Sequence, residues 1–169
     1  MSDIEEKKPV QLNLDLFDDN GRWPKKPYCS DDKTARDIRS LSTAIKRKYI
    51  QANPPHLRVW SIYDIDRERG AIAWEEADLP PPSWAAVNRE NGHAHLVWGL
   101  SAPVLVDSPD MRQAPLRYLC AVEAAFREDL RADHGYSGLL GACRTWGFST
   151  RHKRYWPKFR ENVSRNRCN

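Results

Sequence analysis

Two aspartates separated by a single residue, Asp64 and Asp66, are the first side chains whose spacing suggests chemistry. They end the run RVWSIYDID (58–66), whose β-branched and aromatic residues predict a strand. Alternate residues of a strand share a face, so both carboxylates are expected on one face. Such close carboxylates repel each other unless a cation binds between them, and hard oxygen ligands favour Mg²⁺ or Mn²⁺. The alternative is two exposed acids at a strand end, paired with Arg67 and Arg69.

A second candidate group is the histidine pair in GHAHL (92–96). On a strand, His93 and His95 share a face with Val97, and two such imidazoles can bind a metal or contact phosphate. The alternative is a pair of exposed imidazoles at a hairpin edge, because the preceding Asn91-Gly92 is a strong turn signal.

The histidine pair also allows a nicking function. A His-hydrophobic-His pair that holds a metal beside a nucleophilic tyrosine is typical of rolling-circle initiators and relaxases, and Tyr155 would supply the tyrosine. This hypothesis leaves Asp64 and Asp66 without a role. It also puts Pro157 inside the helix that should carry the tyrosine.

The elements that must position these residues follow an α+β pattern. Apolar spacing of three and four predicts helices over 33–50 and 110–132. Besides 58–66, strands are expected at 71–74 and 93–100, with an apolar run at 84–87. We therefore expect an antiparallel or mixed sheet that bears the aspartates and His95, with flanking helices packed on it.

Composition restricts the class of protein. A length of 169 residues suits one domain with an arm, and 30% charged residues are typical of a soluble globular protein. No apolar stretch approaches the roughly 20 residues of a membrane span, and the acidic N-terminus does not resemble a signal peptide. We expect no membrane partner, and the four scattered cysteines are expected to be reduced thiols.

Basic charge is concentrated in two stretches. Residues 22–58 hold ten basic residues against three acids, a net of +7, and residues 151–169 hold seven against one, a net of +6. This pattern is typical of nucleic-acid binding, although solvated helix faces and a solubilising tail give the same counts. The predicted DNA-binding residues are Arg36, Arg39, Lys46, Arg47, Arg151, Lys153, Arg154 and Lys158.

Several longer segments together are similar to a known family. They are KKPYCSDD (25–32), YIQANPP (49–55), YDIDRERGAIAWEEADLPPP (63–82), NRENGHAHLVWGLSAPV (88–104), APLRYLCAVEAAF (114–126) and ADHGYSGL (132–139). In these segments the chain resembles the replicase (Rep) family of colicinogenic theta-replicating plasmids, a branch similar to the archaeo-eukaryotic primases. The resemblance covers about 70% of the chain, and its tandem motifs are highly specific.

The resemblance implies a primase-like core and a plasmid replication initiator that synthesises an RNA primer at the plasmid origin. Its implied partners are origin DNA, ribonucleoside triphosphates and a host DNA polymerase, and its implied location is the bacterial cytoplasm. Asp64 and Asp66 match the metal-binding acids of the first primase motif, with Mg²⁺ or Mn²⁺ as cofactor. His95 matches the histidine that contacts the incoming nucleotide's phosphates in the second.

The third metal-binding acid of the family has two candidates in this chain. Asp133 lies in the family-like ADHGY segment, whereas Asp107 follows the apolar run 104–106 as a strand-end acid would. Arg67 or His93 is expected to help neutralise the bound triphosphate.

We divide the chain into an N-terminal arm (1–30), a primase-like replicase domain (31–140) and a divergent basic tail (141–169). The family usually continues beyond this point with a Lys-Asn-Pro-containing motif and an origin-binding helical region, which this sequence does not match. We therefore expect a truncated or frameshifted copy, or a fragment that lacks the DNA-binding half. A catalytically inactive DNA-binding remnant is an alternative to both the primase and the nicking endonuclease.

Overall fold

The computed structural model describes residues 22–32, 37–142 and 147–149, which form strands, short helices and one long helix. A 3₁₀ turn at Gly70–Ile72 precedes α2. The elements are β1 (Tyr28–Ser30), β2 (Asp37–Ile38), α1 (Leu41–Ala44), β3 (Tyr49–Gln51), β4 (Leu57–Ile65), α2 (Ala73–Glu76), β5 (Trp84–Val87), β6 (Ala94–Leu105), α3 (Gln113–Leu130), β7 (Leu140–Ala142) and β8 (Gly147–Ser149).

The strands form two antiparallel four-stranded sheets. Sheet A has the order β2-β1-β3-β7, and sheet B has the order β4-β6-β5-β8. Since β4 and β5 both flank β6, the chain crosses between them through the 3₁₀ turn and α2. In sheet B, β4 is an edge strand, so one side of its backbone must find partners outside the sheet.

Sheet B is the middle layer of the described residues, because both of its faces are buried. Val97 lies in a core cluster with Cys29 and Ile50 of sheet A, whereas Leu96 lies in a second cluster with Phe126 of α3. Alternate residues of β6 therefore face sheet A and α3 in turn. This arrangement confirms the α+β prediction and fixes which side of each strand is available to a site.

Asn53 organises the start of β4, where the pairing with β6 shifts between Arg58 and Trp60. Its side-chain oxygen accepts hydrogen bonds from the backbone N–H groups of Val59 and Trp60, both at 2.8 Å. Its side-chain nitrogen donates to the Trp60 carbonyl at 2.8 Å. One half-buried amide therefore satisfies three backbone groups that the irregular ladder leaves available.

The β5–β6 hairpin turns where the sequence predicts it. The Asn88 N–H donates to the His93 carbonyl at 2.8 Å, and Gly92 adopts a positive φ of 74°. A Cβ at Gly92 would also lie 3.0 Å from the Arg69 nitrogen, so a larger residue would both strain the turn and clash. The predicted strand at 58–66 and helix at 110–132 are likewise present as β4 and α3.

Two predicted elements are wrong. In the described part of the predicted 33–50 helix, residues 37–50, only Leu41–Ala44 is helical, because residues 37–38 and 49–51 pair with β1 in sheet A instead. The predicted 71–74 strand is the end of the 3₁₀ turn and the start of α2, entered through Arg69 at a positive φ of 60°. A four-residue apolar run is too short to show a period, so it does not distinguish a buried strand from a helix.

The described ends of the chain belong to the folded domain. Within the predicted arm, Trp23 and Cys29 are buried in the core and 28–30 form β1. Within the predicted tail, 147–149 form β8 on sheet B, while residues 1–21 and 150–169 lie outside the described residues. In the described ranges, no helix combines the length and hydropathy required to span a membrane.

We expect Asn53→Ala to lower the free energy of unfolding by about 1–3 kcal/mol, because three backbone groups of Val59 and Trp60 lose their hydrogen bonds to the Asn53 side chain. Asn88→Ala is the matched control, since its side chain accepts one hydrogen bond from the exposed Glu90 N–H. Urea denaturation midpoints at an unchanged m-value measure the difference. Equal losses in the two variants would contradict this role of Asn53.

Candidate metal and nucleotide site

The register of β4 against β6 puts Asp64 directly opposite His95. His95 is buried at 3% exposure, and its Nε2 lies 3.2 Å from Asp64 Oδ1. Both side chains point to the face of sheet B that also carries Val97, as the sequence predicts. The carboxylate of Asp64 is 19% exposed, so it lies at the border between the core and solvent.

The segment after α3 brings a third carboxylate to this pair. Arg131 ends the helix in the left-handed region, with a φ of 49°, and turns the chain toward the edge of β4. There the Asp133 N–H donates to the Asp64 carbonyl at 2.9 Å. The Gly135 N–H donates to Asp133 Oδ1 at 2.8 Å and fixes the orientation of that carboxylate.

The three aspartates lie close enough together to hold a divalent metal ion. Asp64, Asp66 and Asp133 each offer one oxygen, and all three oxygens lie within 4.8 Å of one another. Opposite ligands of an octahedral Mg²⁺ ion are about 4.2 Å apart, so small movements would close the set around an ion. Asp64 Oδ1 is buried and has His95 Nε2 3.2 Å away. The residues present therefore fit Mg²⁺ or Mn²⁺.

The two histidines contact different carboxylates. His93 Nδ1 lies 3.1 Å from Asp66 Oδ1, and a proton on Nδ1 would make His93 the donor. His95 faces Asp64 instead. In the described residues, the group that could hold a metal consists of the three aspartates and contains neither histidine.

A cleft of about 440 Å³ opens beside the carboxylates. Arg67 borders it and is held by its Nη1, which donates to the Leu130 carbonyl at 2.7 Å. The Arg67 Nη2 also lies 3.8 Å from Glu76 Oε2. The residues that line the cleft are Asp66, Arg67, Arg131, Ala132, Asp133 and His134. Cations and carboxylates therefore share one cleft, as a complex of a metal with an anionic substrate requires.

Tyr136 belongs to the site, and our sequence analysis did not select it. Its ring centroid lies 5.2 Å from that of His95, and its hydroxyl donates to the Leu140 carbonyl at 2.6 Å. Burial, with a further contribution from the negative charge of Asp64, raises the pKa of Tyr136 well above its usual value. Its only sequence signal is its place in the ADHGY segment, three residues after Asp133.

Asp107, the other candidate for the third acid, lies at the opposite end of the strand pair. Its carboxylate is 3.7 Å from His56 Nδ1, next to the pairing of Leu57 with Leu105. Along β4 the seven steps from Leu57 to Asp64 span roughly 23 Å at about 3.3 Å per residue. The geometry therefore groups Asp133, and not Asp107, with the first two aspartates.

The predicted DNA-binding residues are only partly described. Arg39 Nη2 lies 3.4 Å from Asp37, and Arg47 donates to Asp31, whose pKa this bond lowers. Lys46 is exposed. Those outside the described residues are Arg36, Arg151, Lys153, Arg154 and Lys158, as is the candidate nucleophile Tyr155.

Comparison with known proteins identifies a family. The model of the Replicase family matches residues 22–156, well over half of the chain and beyond Leu140, where our resemblance ends. No curated protein and no solved structure matches this chain.

We expect Asp133→Asn to weaken Mn²⁺ binding at least about tenfold, because loss of a direct ligand should cost no less than loss of an outer-shell partner. Asp107→Asn is the matched control and should bind Mn²⁺ as the wild type does. Isothermal titration of the three proteins measures the dissociation constants. The reverse ranking would identify Asp107 as the third acid.

Proposed function

The chain belongs to the Replicase family and is a plasmid replication protein, and from this premise we propose that it joins ribonucleotides into a primer by primase-type nucleotidyl transfer. The observation that carries the proposal is the convergence of Asp64, Asp66 and Asp133 at the edge of β4. Three carboxylates that meet at one point repel one another, and a bound divalent ion would relieve that repulsion.

The chemistry needs charge compensation more than it needs a nucleophile from the protein. A 3′-hydroxyl attacks the α-phosphorus of the incoming nucleotide, a phosphodiester bond forms, the bond from that phosphorus to the bridging oxygen breaks, pyrophosphate leaves, and the hydroxyl proton passes to solvent. Divalent ions, when bound, would supply Lewis acidity and neutralise charge. The three aspartates would hold these ions, and the cleft beside them would receive the triphosphate.

Arg67, His93 and His95 lie beside the acids, which supports a role for them in binding the phosphates. Arg67 is anchored by the Leu130 carbonyl, so its guanidinium needs little reordering when an anion arrives. His95 is buried against Asp64 and has a fixed position, whereas His93 is 31% exposed and paired with Asp66. We assign His95 the orientation of the triphosphate, with Arg67 and His93 as lesser contributors.

We further propose that the template is single-stranded DNA at the plasmid origin and that a host DNA polymerase extends the primer. The net charge of +7 in residues 22–58 supports a phosphate-backbone contact. Such contacts position nucleic acid without reading its sequence, so origin choice requires further contacts.

Wild-type protein should incorporate labelled ribonucleotides on a single-stranded DNA template with Mn²⁺, giving an alkali-labile product. Asp64→Asn combined with Asp66→Asn should reduce incorporation by more than about a hundredfold, as removal of a group that stabilises the transition state does. Asp78→Asn is a control, because this acid lies at a turn after α2. A covalent protein–DNA adduct without incorporation would favour the nicking endonuclease instead.

His95 should matter more than His93. We expect His95→Gln to lower incorporation about a hundredfold and His93→Gln less than tenfold, because the buried imidazole has the better-defined position. Glutamine keeps a polar side chain of similar length, and near-UV circular dichroism checks that both variants fold. If His93→Gln is the more damaging change, the paired-histidine mechanism gains support.

A further inference from the structure

Asp133 lies in the segment between α3 and β7, whereas the other two aspartates lie at the end of a strand. The Asp133 backbone donates to the Asp64 carbonyl and accepts from the Tyr136 N–H, and its carboxylate accepts from the Gly135 N–H. A backbone bond on an exposed segment restrains the chain weakly by itself, at roughly 1 kcal/mol. The placement of Asp133 to within a metal-ligand distance of Asp64 therefore requires a further restraint.

Tyr136 makes two contacts that can restrain the Asp133 segment, one with Leu140 and one with His95. Its hydroxyl donates to the carbonyl of Leu140, which is the first residue of β7 and pairs with Gln51 in sheet A. Its ring lies against His95 of sheet B, with an interplanar angle of 56°. Tyr136 therefore connects the Asp133 segment to both sheets at once.

We propose that Tyr136 is a positioning residue that holds Asp133 against Asp64 and fixes the His95 imidazole, so that the metal and nucleotide sites form together. This inference rests on the proposed function, since it assumes that the carboxylates bind a divalent ion. The ring restrains His95 by contact, and the hydroxyl closes the loop from Asp133 to Leu140. Tyr136 itself contacts neither the ion nor the nucleotide.

The two halves of the side chain can be separated by substitution. Tyr136→Phe removes only the bond to Leu140, and Tyr136→Leu also removes the aromatic contact with His95. Tyr118→Leu is the matched control, because Tyr118 is 51% exposed on α3 and lies outside the acid cluster. All three are made in the full chain.

The first measurement is the Mn²⁺ dissociation constant, taken well below the melting temperature of each variant. We expect Tyr136→Phe to weaken binding about fivefold, the equivalent of one ordinary hydrogen bond. Tyr136→Leu should weaken it about tenfold or more, as loss of an outer-shell partner does. A purely structural role would lower the melting temperature and leave the Mn²⁺ affinity of the folded protein unchanged. That result, or an equal loss in Tyr118→Leu, would overturn the inference.

Two further readouts keep the test decisive. The imidazole proton resonances of His95 should shift in Tyr136→Leu more than in Tyr136→Phe, because the aromatic ring is lost; unchanged resonances would contradict the contact. In nucleotide incorporation, kcat should fall more than KM rises.

If Tyr136→Leu does not fold, the Mn²⁺ affinity of Tyr136→Phe tests the inference, and an affinity equal to that of the wild type overturns it. Wild-type protein that binds no Mn²⁺ would instead contradict the proposed function, and the inference with it.

Discussion

The register between β4 and β6 is the constraint on which the rest of the site depends. It sets Asp64 opposite His95 on one face and Ile65 opposite Ala94 on the other. At this end of the two strands, the first face is therefore polar and the second is part of the core. A slip by one residue would exchange the two faces and bury the carboxylate against α3. Both faces of sheet B are packed, one on sheet A and the other on α3. The hydrophobic cores therefore specify the register, and with it the site.

The third aspartate depends on a different physical requirement, the need to cover an edge strand. β4 is the outer strand of sheet B, and the segment after α3 supplies a backbone donor to its Asp64 carbonyl. The same contact brings a carboxylate toward two others, which is unfavourable without a cation because like charges repel. The packing that covers the sheet edge therefore keeps three carboxylates close together, and a bound ion would reduce the repulsion between them. By linkage, such an ion would stabilise the folded protein.

Strong local patterns predicted the elements that carry the first two aspartates and His95. The residues of β4 and β6 alternate between apolar and polar or form continuous apolar runs. Between β5 and β6, Asn91-Gly92 is a characteristic turn sequence, and Gly92 adopts a positive φ. The helix predicted over 33–50 was wrong because the apolar spacing of this segment fits a helix. In the structure, Tyr49, Ile50 and Gln51 are all buried, as in a strand packed on both faces.

Asp133 was predicted only through family resemblance. Its proximity to Asp64 is a contact across 69 positions, which no periodicity encodes. Tyr136 was missed for the same reason, because its role depends on bonds to Leu140 and His95.

The pairing of each histidine with its own carboxylate bears on the choice between the two enzymatic hypotheses. A histidine-pair nicking site needs both imidazoles on one ion, with a tyrosine nearby. Here His95 Nε2 lies 3.2 Å from Asp64 and His93 Nδ1 lies 3.1 Å from Asp66, so each imidazole already contacts its own carboxylate at the neighbouring strand end. To share one ion, at least one of them would have to leave its carboxylate. In a nucleotidyl-transfer site, by contrast, the aspartates bind the ions and the imidazoles remain beside them to meet the phosphates. The arrangement of His93 and His95 therefore favours the second hypothesis without requiring any side chain of the pair to move.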